Sequence, residues 1–76
     1  MKLNERFIWA VSVLDIKPTD NVLEIGCGAG ILAEQIANKL TTGKITAIDK
    51  SMPMIKIASR RNKIFIETGK ATFYSY

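Results

Sequence analysis

Val22-Leu23-Glu24-Ile25-Gly26-Cys27-Gly28-Ala29-Gly30 is the stretch that decides the fold. It reads as a short buried strand that ends in a glycine-rich turn and opens a helix. A second apolar run, Lys44-Ile45-Thr46-Ala47-Ile48-Asp49, ends in an acid nineteen residues after Gly30. Strand, glycine turn, helix, strand, acid is the order that sets a nucleoside-bearing cofactor at the carboxyl ends of parallel strands. Glycine lacks a Cβ, so the chain can turn sharply after Ile25 and let a ligand reach the backbone. Amides in the first turn of the following helix carry its partial positive charge and suit a carboxylate or a phosphate. Glu24, beside the turn, can accept hydrogen bonds from an ammonium group or from loop amides. Asp49, at the end of the neighbouring strand, can accept from two ribose hydroxyls.

Other glycine-rich sites fit less well. A dinucleotide fingerprint needs GxGxxG, and its third glycine would fall at Ile31. A Walker phosphate loop needs a Lys-Ser/Thr pair after its last glycine, where this chain has Ile31-Leu32. An ordinary strand-to-helix turn with no ligand is the plain alternative.

Glu24-x-Gly-x-Gly-x-Gly followed by Asp49 resembles the first two motifs of the class I S-adenosyl-L-methionine (SAM) dependent methyltransferases. The resemblance covers nearly the whole chain but only the opening of that family's fold, a seven-stranded Rossmann-like sheet of order 3-2-1-4-5-7-6. It implies an α/β fold of three parallel strands in order 3-2-1, with a leading helix and two crossover helices on one face. It also implies that Glu24, Gly26, Cys27, Gly28 and Gly30 line the methionine part of SAM, and that Asp49 holds the ribose. Lys50 follows Asp49 in this lining, and Met54 sits where the family often sets an apolar side chain against adenine. A core methionine is the alternative for Met54. Cys27 stands where the family often has cysteine; its helix N-terminal setting could lower its pKa, but a small residue filling the turn is the favoured reading over a nucleophile.

Length and composition set bounds. Seventy-six residues make one small domain, residues 1–76. A chain of this size buries only about 60% of its unfolded surface, so its stability is expected to be marginal. At 47% hydrophobic residues it is not disordered by composition. The single cysteine excludes an internal disulfide. The absence of histidine removes the commonest general base and the commonest zinc ligand. Lys2 and Arg6 precede the apolar run Phe7–Leu14, which is too short for a membrane span and has no small-x-small cleavage site after it. A cytoplasmic location with no membrane span is therefore expected.

Charge is uneven. Residues 1–38 carry three basic and five acidic side chains, residues 39–76 eight basic and two acidic, within a net charge of +4. Lys56, Arg60 and Lys63 recur at i, i+4, i+7 and share a helix face. A solvated surface is the first reading of that face. The second is a non-catalytic module that binds a nucleotide or an acidic partner, nucleic acid included.

Asn4 can cap a first helix running to about Leu14, with Phe7, Val11 and Leu14 as its apolar stripe and Trp9 as a core anchor. Pro18-Thr19-Asp20-Asn21 reads as a turn. The first strand is predicted at Asn21–Ile25 and the second helix at about Ala29–Leu40, buried through Leu32, Ala33, Ile36, Ala37 and Leu40. Gly43 reads as a left-handed stop after it. The second strand is predicted at Lys44–Ile48. Ser51 caps a third helix with Pro53 in its first turn, Ile55, Ala58, Asn62 and Phe65 on one face, and Gly69 at its end. Ala71–Tyr76 reads as the third strand.

By this reading the chain is an N-terminal piece of a larger fold. The family's third and fourth motifs would fall beyond Tyr76, the methyl acceptor is not legible, and no catalytic residue can be named. Strand one is left with an open edge and the sheet with an uncovered face, so self-association or a companion chain is expected there.

Overall fold

The three runs read as strands form strands, and the stretches before and between them form helices. The computed structural model describes residues 3–76; Lys2 lies outside the described residues. The elements in order are α1 (Leu3–Leu14), β1 (Asn21–Ile25), α2 (Ile31–Lys39), β2 (Lys44–Asp49), α3 (Met52–Arg61), α4 (Lys63–Glu67) and β3 (Ala71–Ser75). The strands form one parallel sheet in the order β1-β2-β3, the expected 3-2-1 order read from the other edge. The fold class is α/β, as the alternation of runs required.

Side chains alternate across a strand, and here the two faces differ sharply. Ile45, Ala47 and Ala71 point into the core beneath the helices, where Val11, Ala33, Ile36, Ala37, Leu40 and Ile55 meet them. The opposite face has no helix among the described residues. Leu23 is 61% and Ile25 68% exposed there. Register sets Ile25 beside Ile48 and Ile48 beside Tyr74, so an apolar row crosses all three strands on that side. The outer edge of β1 is unpaired among the described residues.

Several local expectations are corrected. The first helix already includes Leu3, so Asn4 lies inside it and is not its cap. Of its predicted stripe, Val11 is buried and Leu14 exposed, and Trp9 is 58% exposed rather than a core anchor. The physical reason is that α1 packs on α2 alone among its larger contacts, so one narrow line of side chains suffices to seat it. The turn falls one residue early: the amide of Asp20 donates to Lys17 O at 3.0 Å, and the amide of Lys17 donates back to Asp20 Oδ2 at 2.8 Å. Gly43 is not left-handed. It is required by close approach, since a Cβ there would run into the backbone of Thr19 and Asp20. The predicted third helix is two helices, broken at Asn62, whose φ of −106° and ψ of 24° leave the helical region. Ser51 does cap α3, its Oγ accepting from the Met54 amide at 3.3 Å, and Gly69, at φ +80°, follows the end of α4.

Candidate functional site: the glycine turn and Asp49

Register assembles the site. Ile25 pairs with Ile48, so the turn after β1 and the end of β2 emerge side by side. The amides of Gly26 and Cys27 both donate to Ile48 O, at 2.8 and 3.0 Å, which pins the turn to the neighbouring strand. Gly26, Gly28 and Gly30 all have positive φ, at +76°, +54° and +81°. An L side chain in that region costs roughly 1–2 kcal/mol.

The glycines divide into two kinds. A Cβ on Gly26 or Gly28 would meet nothing within 4 Å, so these two leave open space over the turn. A Cβ on Gly30 would lie 2.8 Å from both Ala58 Cβ and Asn62 Nδ2. Gly30 is thus buried against α3, and its lack of a side chain serves helix packing rather than an open approach to the turn.

Asp49 joins the two loops. Its Oδ2 accepts from the Gly28 amide and its Oδ1 from the Ser51 amide, each at 2.8 Å. These bonds, the Ser51 bond first and then Gly28, hold its carboxyl below the usual carboxylate range. The group is ionised at neutral pH, and each oxygen retains acceptor capacity for a further donor.

Glu24 lies on the helix-covered face of β1, opposite Ala47. It takes no loop amide, contrary to one of the two roles expected of it: the Gly28 amide goes to Asp49 instead. Its Oε1 is buried without a hydrogen-bond partner, and burial pushes its pKa from 4.5 up to about 7. Cys27 is buried in the turn, its Sγ 3.7 Å from Gly28 O. Burial raises its pKa first, and the charges of Glu24 and Asp49 add to that, so the lowering that a helix N-terminal setting could bring does not occur and the favoured space-filling reading stands. The thiol fills space and is not activated.

Lys50 is exposed, and its carbonyl accepts from Ser75 Oγ at 3.4 Å. Met54 is half-buried in the first turn of α3. Lys56, Arg60 and Lys63 are all exposed, but Lys63 lies past the break at Asn62 and sits 3.8 Å from Glu67 in an ion pair. The continuous basic face predicted for one long helix is therefore divided.

Two contributors were not legible as site residues. Ser51 enters through its backbone amide, which no side-chain pattern encodes. Asn62 is 0% exposed and reaches Gly30 O with its Nδ2 at 3.1 Å. Its signal was present as a polar residue on the apolar face formed by Ile55, Ala58 and Phe65. A concave apolar groove along α1, lined by Arg6, Phe7, Trp9 and Ala10, involves none of the predicted site residues. Among the described residues, no cluster of acidic or cysteine side chains could hold a metal ion, and no helix is long and apolar enough to cross a membrane.

Comparison with known proteins gives a consistent result. Residues 22–75 match the model of a family described as a methyltransferase domain. Malonyl-[acyl-carrier protein] O-methyltransferase 2 of Ilyobacter polytropus is 41% identical over 61 residues, covering 74% of this chain and 24% of that protein. The crystal structure of a SAM-dependent O-methyltransferase from Thermotoga maritima superposes with a TM-score of 0.85 at 19% identity, covering 100% of this chain and 29% of that one. Coclaurine N-methyltransferase, solved with N-methylheliamine and S-adenosylhomocysteine (SAH), gives 0.80 at 20% identity, covering 100% and 23%. The chain spans about a quarter of the length of these proteins.

Proposed function

Because this chain belongs to the methyltransferase-domain family, we propose that it is the cofactor-binding portion of a SAM-dependent methyltransferase, with little or no activity of its own. One observation carries the reading. The turn at Gly26 and Gly28 is open to an approaching ligand and lies directly against an ionised Asp49.

The residues fit the cofactor. The space over Gly26 and Gly28 would admit its methionine end, and the first-turn amides of α2 favour a carboxylate there. Asp49, already anchored by two amides, presents its remaining lone pairs to a ribose diol. The buried, unpartnered Glu24 Oε1 is an acceptor in want of a donor, and an ammonium group supplies one. Met54, half-buried at the start of α3, offers a polarisable surface to a purine. Cys27 and Lys50 flank these groups, and Gly30 supports the turn from below. When bound, SAM supplies a methyl already activated on a sulfonium; this chain's part is to bind, orient and shield it.

The acceptor side lies outside these elements. The relatives named for O-methylation of malonyl-[acyl-carrier protein] favour an acidic oxygen acceptor held on a carrier protein. The open face at Leu23, Ile25 and Tyr74 and the free edge of β1 suit a covering partner, either a companion chain or a second copy. The alternative of a binding module on Lys56, Arg60 and Lys63 has weaker support, given the break at Asn62 and the Lys63–Glu67 pair.

Isothermal titration with SAH tests the reading. Binding is expected in the unchanged protein, with large losses in Asp49→Ala and in Gly28→Val. Gly28→Val should weaken binding more than folding. Equal affinity in all three proteins would refute the assignment.

A further inference from the structure

The cofactor turn is held from an unexpected side. Gly30 closes it and also begins α2: its amide donates to Cys27 O at 3.1 Å and its carbonyl accepts from the Glu34 amide at 3.0 Å. A second donor reaches that same carbonyl from the far end of α3. Asn62 Nδ2 lies 3.1 Å from Gly30 O and 3.0 Å from Ala58 O. Both amide hydrogens are thus committed, one within α3 and one across to the turn. This fixes the carboxamide's orientation, because a flipped amide would set Oδ1 against two carbonyl oxygens.

Stability alone does not account for an asparagine here. Asn62 is fully buried, and its Oδ1 has no hydrogen-bond partner. A buried acceptor left unmade is a cost to folding. The neighbours on its face, Ile55, Ala58 and Phe65, are apolar, so a leucine, branched at the same carbon though larger, would leave nothing orphaned: Gly30 O keeps the Glu34 amide and Ala58 O keeps the backbone amide of residue 62. The backbone also departs from helix at this residue, dividing α3 from α4. What the asparagine adds beyond its own helix is the hydrogen bond to Gly30.

We propose that Asn62 is a positioning residue for the cofactor turn: from the α3–α4 junction its carboxamide holds Gly30 O and so fixes the shape of the turn from Gly26 to Gly30. The role in binding rests on the methyltransferase reading above; the clamp itself does not. No contact between Asn62 and the cofactor is involved. Its effect passes through Gly30, which carries the turn on one side and the first helical bond of α2 on the other. The ion pair of Arg61 with Glu34, at 3.8 Å and partly exposed, bridges α3 and α2 alongside it.

The test is Asn62→Leu, with Ile55→Ala as a control that opens the core of α3 without removing a hydrogen bond to the turn. Amide proton–nitrogen spectra and hydrogen exchange are recorded on the chain without ligand, and SAH affinity is measured by titration. In Asn62→Leu the amides of Gly28, Ala29 and Gly30 should shift and exchange faster, and SAH affinity should fall by up to about tenfold, the loss when restoring the turn on binding costs as much as one hydrogen bond. Ile55→Ala should lose stability and leave both readouts near those of the unchanged chain. Turn amides unmoved in Asn62→Leu, or moved as much in Ile55→Ala, would overturn the proposal. Should Asn62→Leu fail to fold, Asn62→Ala is read in the same way. The spectra need no ligand, so the clamp is decided even if the unchanged chain gives no heat with SAH. That last result would count against the cofactor reading alone.

Discussion

Adding one methyl group at Gly30 should cost far more than adding one at Gly28, although both glycines are left-handed. The backbone strain is comparable, roughly 1–2 kcal/mol for an alanine at positive φ in either place. The surroundings differ. At Gly28 the new Cβ enters open space. At Gly30 it lies 2.8 Å from Ala58 Cβ and 3.0 Å from Ala58 Cα, atoms fixed to the α3 backbone, and 2.8 Å from Asn62 Nδ2. The amide cannot simply swing aside, because it is also bonded to Ala58 O. Overpacking of this kind adds about 1–3 kcal/mol. Gly28→Ala should therefore lose about 1–2 kcal/mol and Gly30→Ala about 2–5. In a domain of this size each kcal/mol moves the melting midpoint by about 4–8 °C. Urea titrations of both variants, followed by far-ultraviolet circular dichroism, give the comparison at equal m-values. Two variants that agree within about 0.5 kcal/mol would show that Gly30 is not wedged under α3, and the support assigned to that helix would fall with it.

Other outcomes follow from the same geometry. Glu24 is expected to make stability fall as pH rises: its folded-state pKa, about 7, lies above the ordinary 4.5, so the native state holds the proton more tightly between those values. The contribution is full below 4.5 and is lost as pH passes about 7; Glu24→Gln should flatten that slope, and an unchanged slope in denaturant midpoints across this window would refute the burial argument. Asp49 acts in the opposite sense and lower down, its contribution being lost as pH falls below the ordinary 3.8, so Asp49→Asn should change only the acid limb. On the open sheet face, Leu23→Thr with Ile25→Thr should reduce self-association at micromolar concentration in sedimentation velocity. A monomeric unchanged chain with a sharp cooperative melt would mean that the exposed row is tolerated in water.

The strands were legible because their signal is local. β1 runs from Asn21 to Ile25 as read, and β2 gains only Asp49. Apolar runs bounded by turn residues leave little freedom of assignment in a parallel sheet. Asp49 and the glycine turn were legible as a pair through their spacing. The sequence could not show that Asp49 spends bonds on the Gly28 and Ser51 amides, because those partners are backbone groups common to every residue. The break at Asn62 was illegible for another reason. Ser59-Arg60-Arg61-Asn62-Lys63 contains no proline or glycine, and the interruption coincides with a tertiary hydrogen bond to a residue 32 positions away in sequence. Trp9 misled because size and hydrophobicity favour burial only where something packs above the residue. On α1 a single seam through Val11 meets α2, and the aromatic ring is left outside it.

The two amides on Asp49 have a further consequence, one of entropy. A free acidic side chain must be frozen when it captures a ligand, at a cost of about 0.5–1.5 kcal/mol in lost rotamers. Here the folding of two separate loops has already frozen it, one oxygen tied to Gly28 and the other to Ser51. A diol arriving at the end of β2 would meet an acceptor whose aim is set in advance. The same tether makes the carboxylate a mechanical joint. Any ligand that draws Asp49 forward pulls on the turn before α2 and on the residue that caps α3 together. The two helix starts should therefore respond to occupancy as one unit, although no backbone hydrogen bond joins them directly.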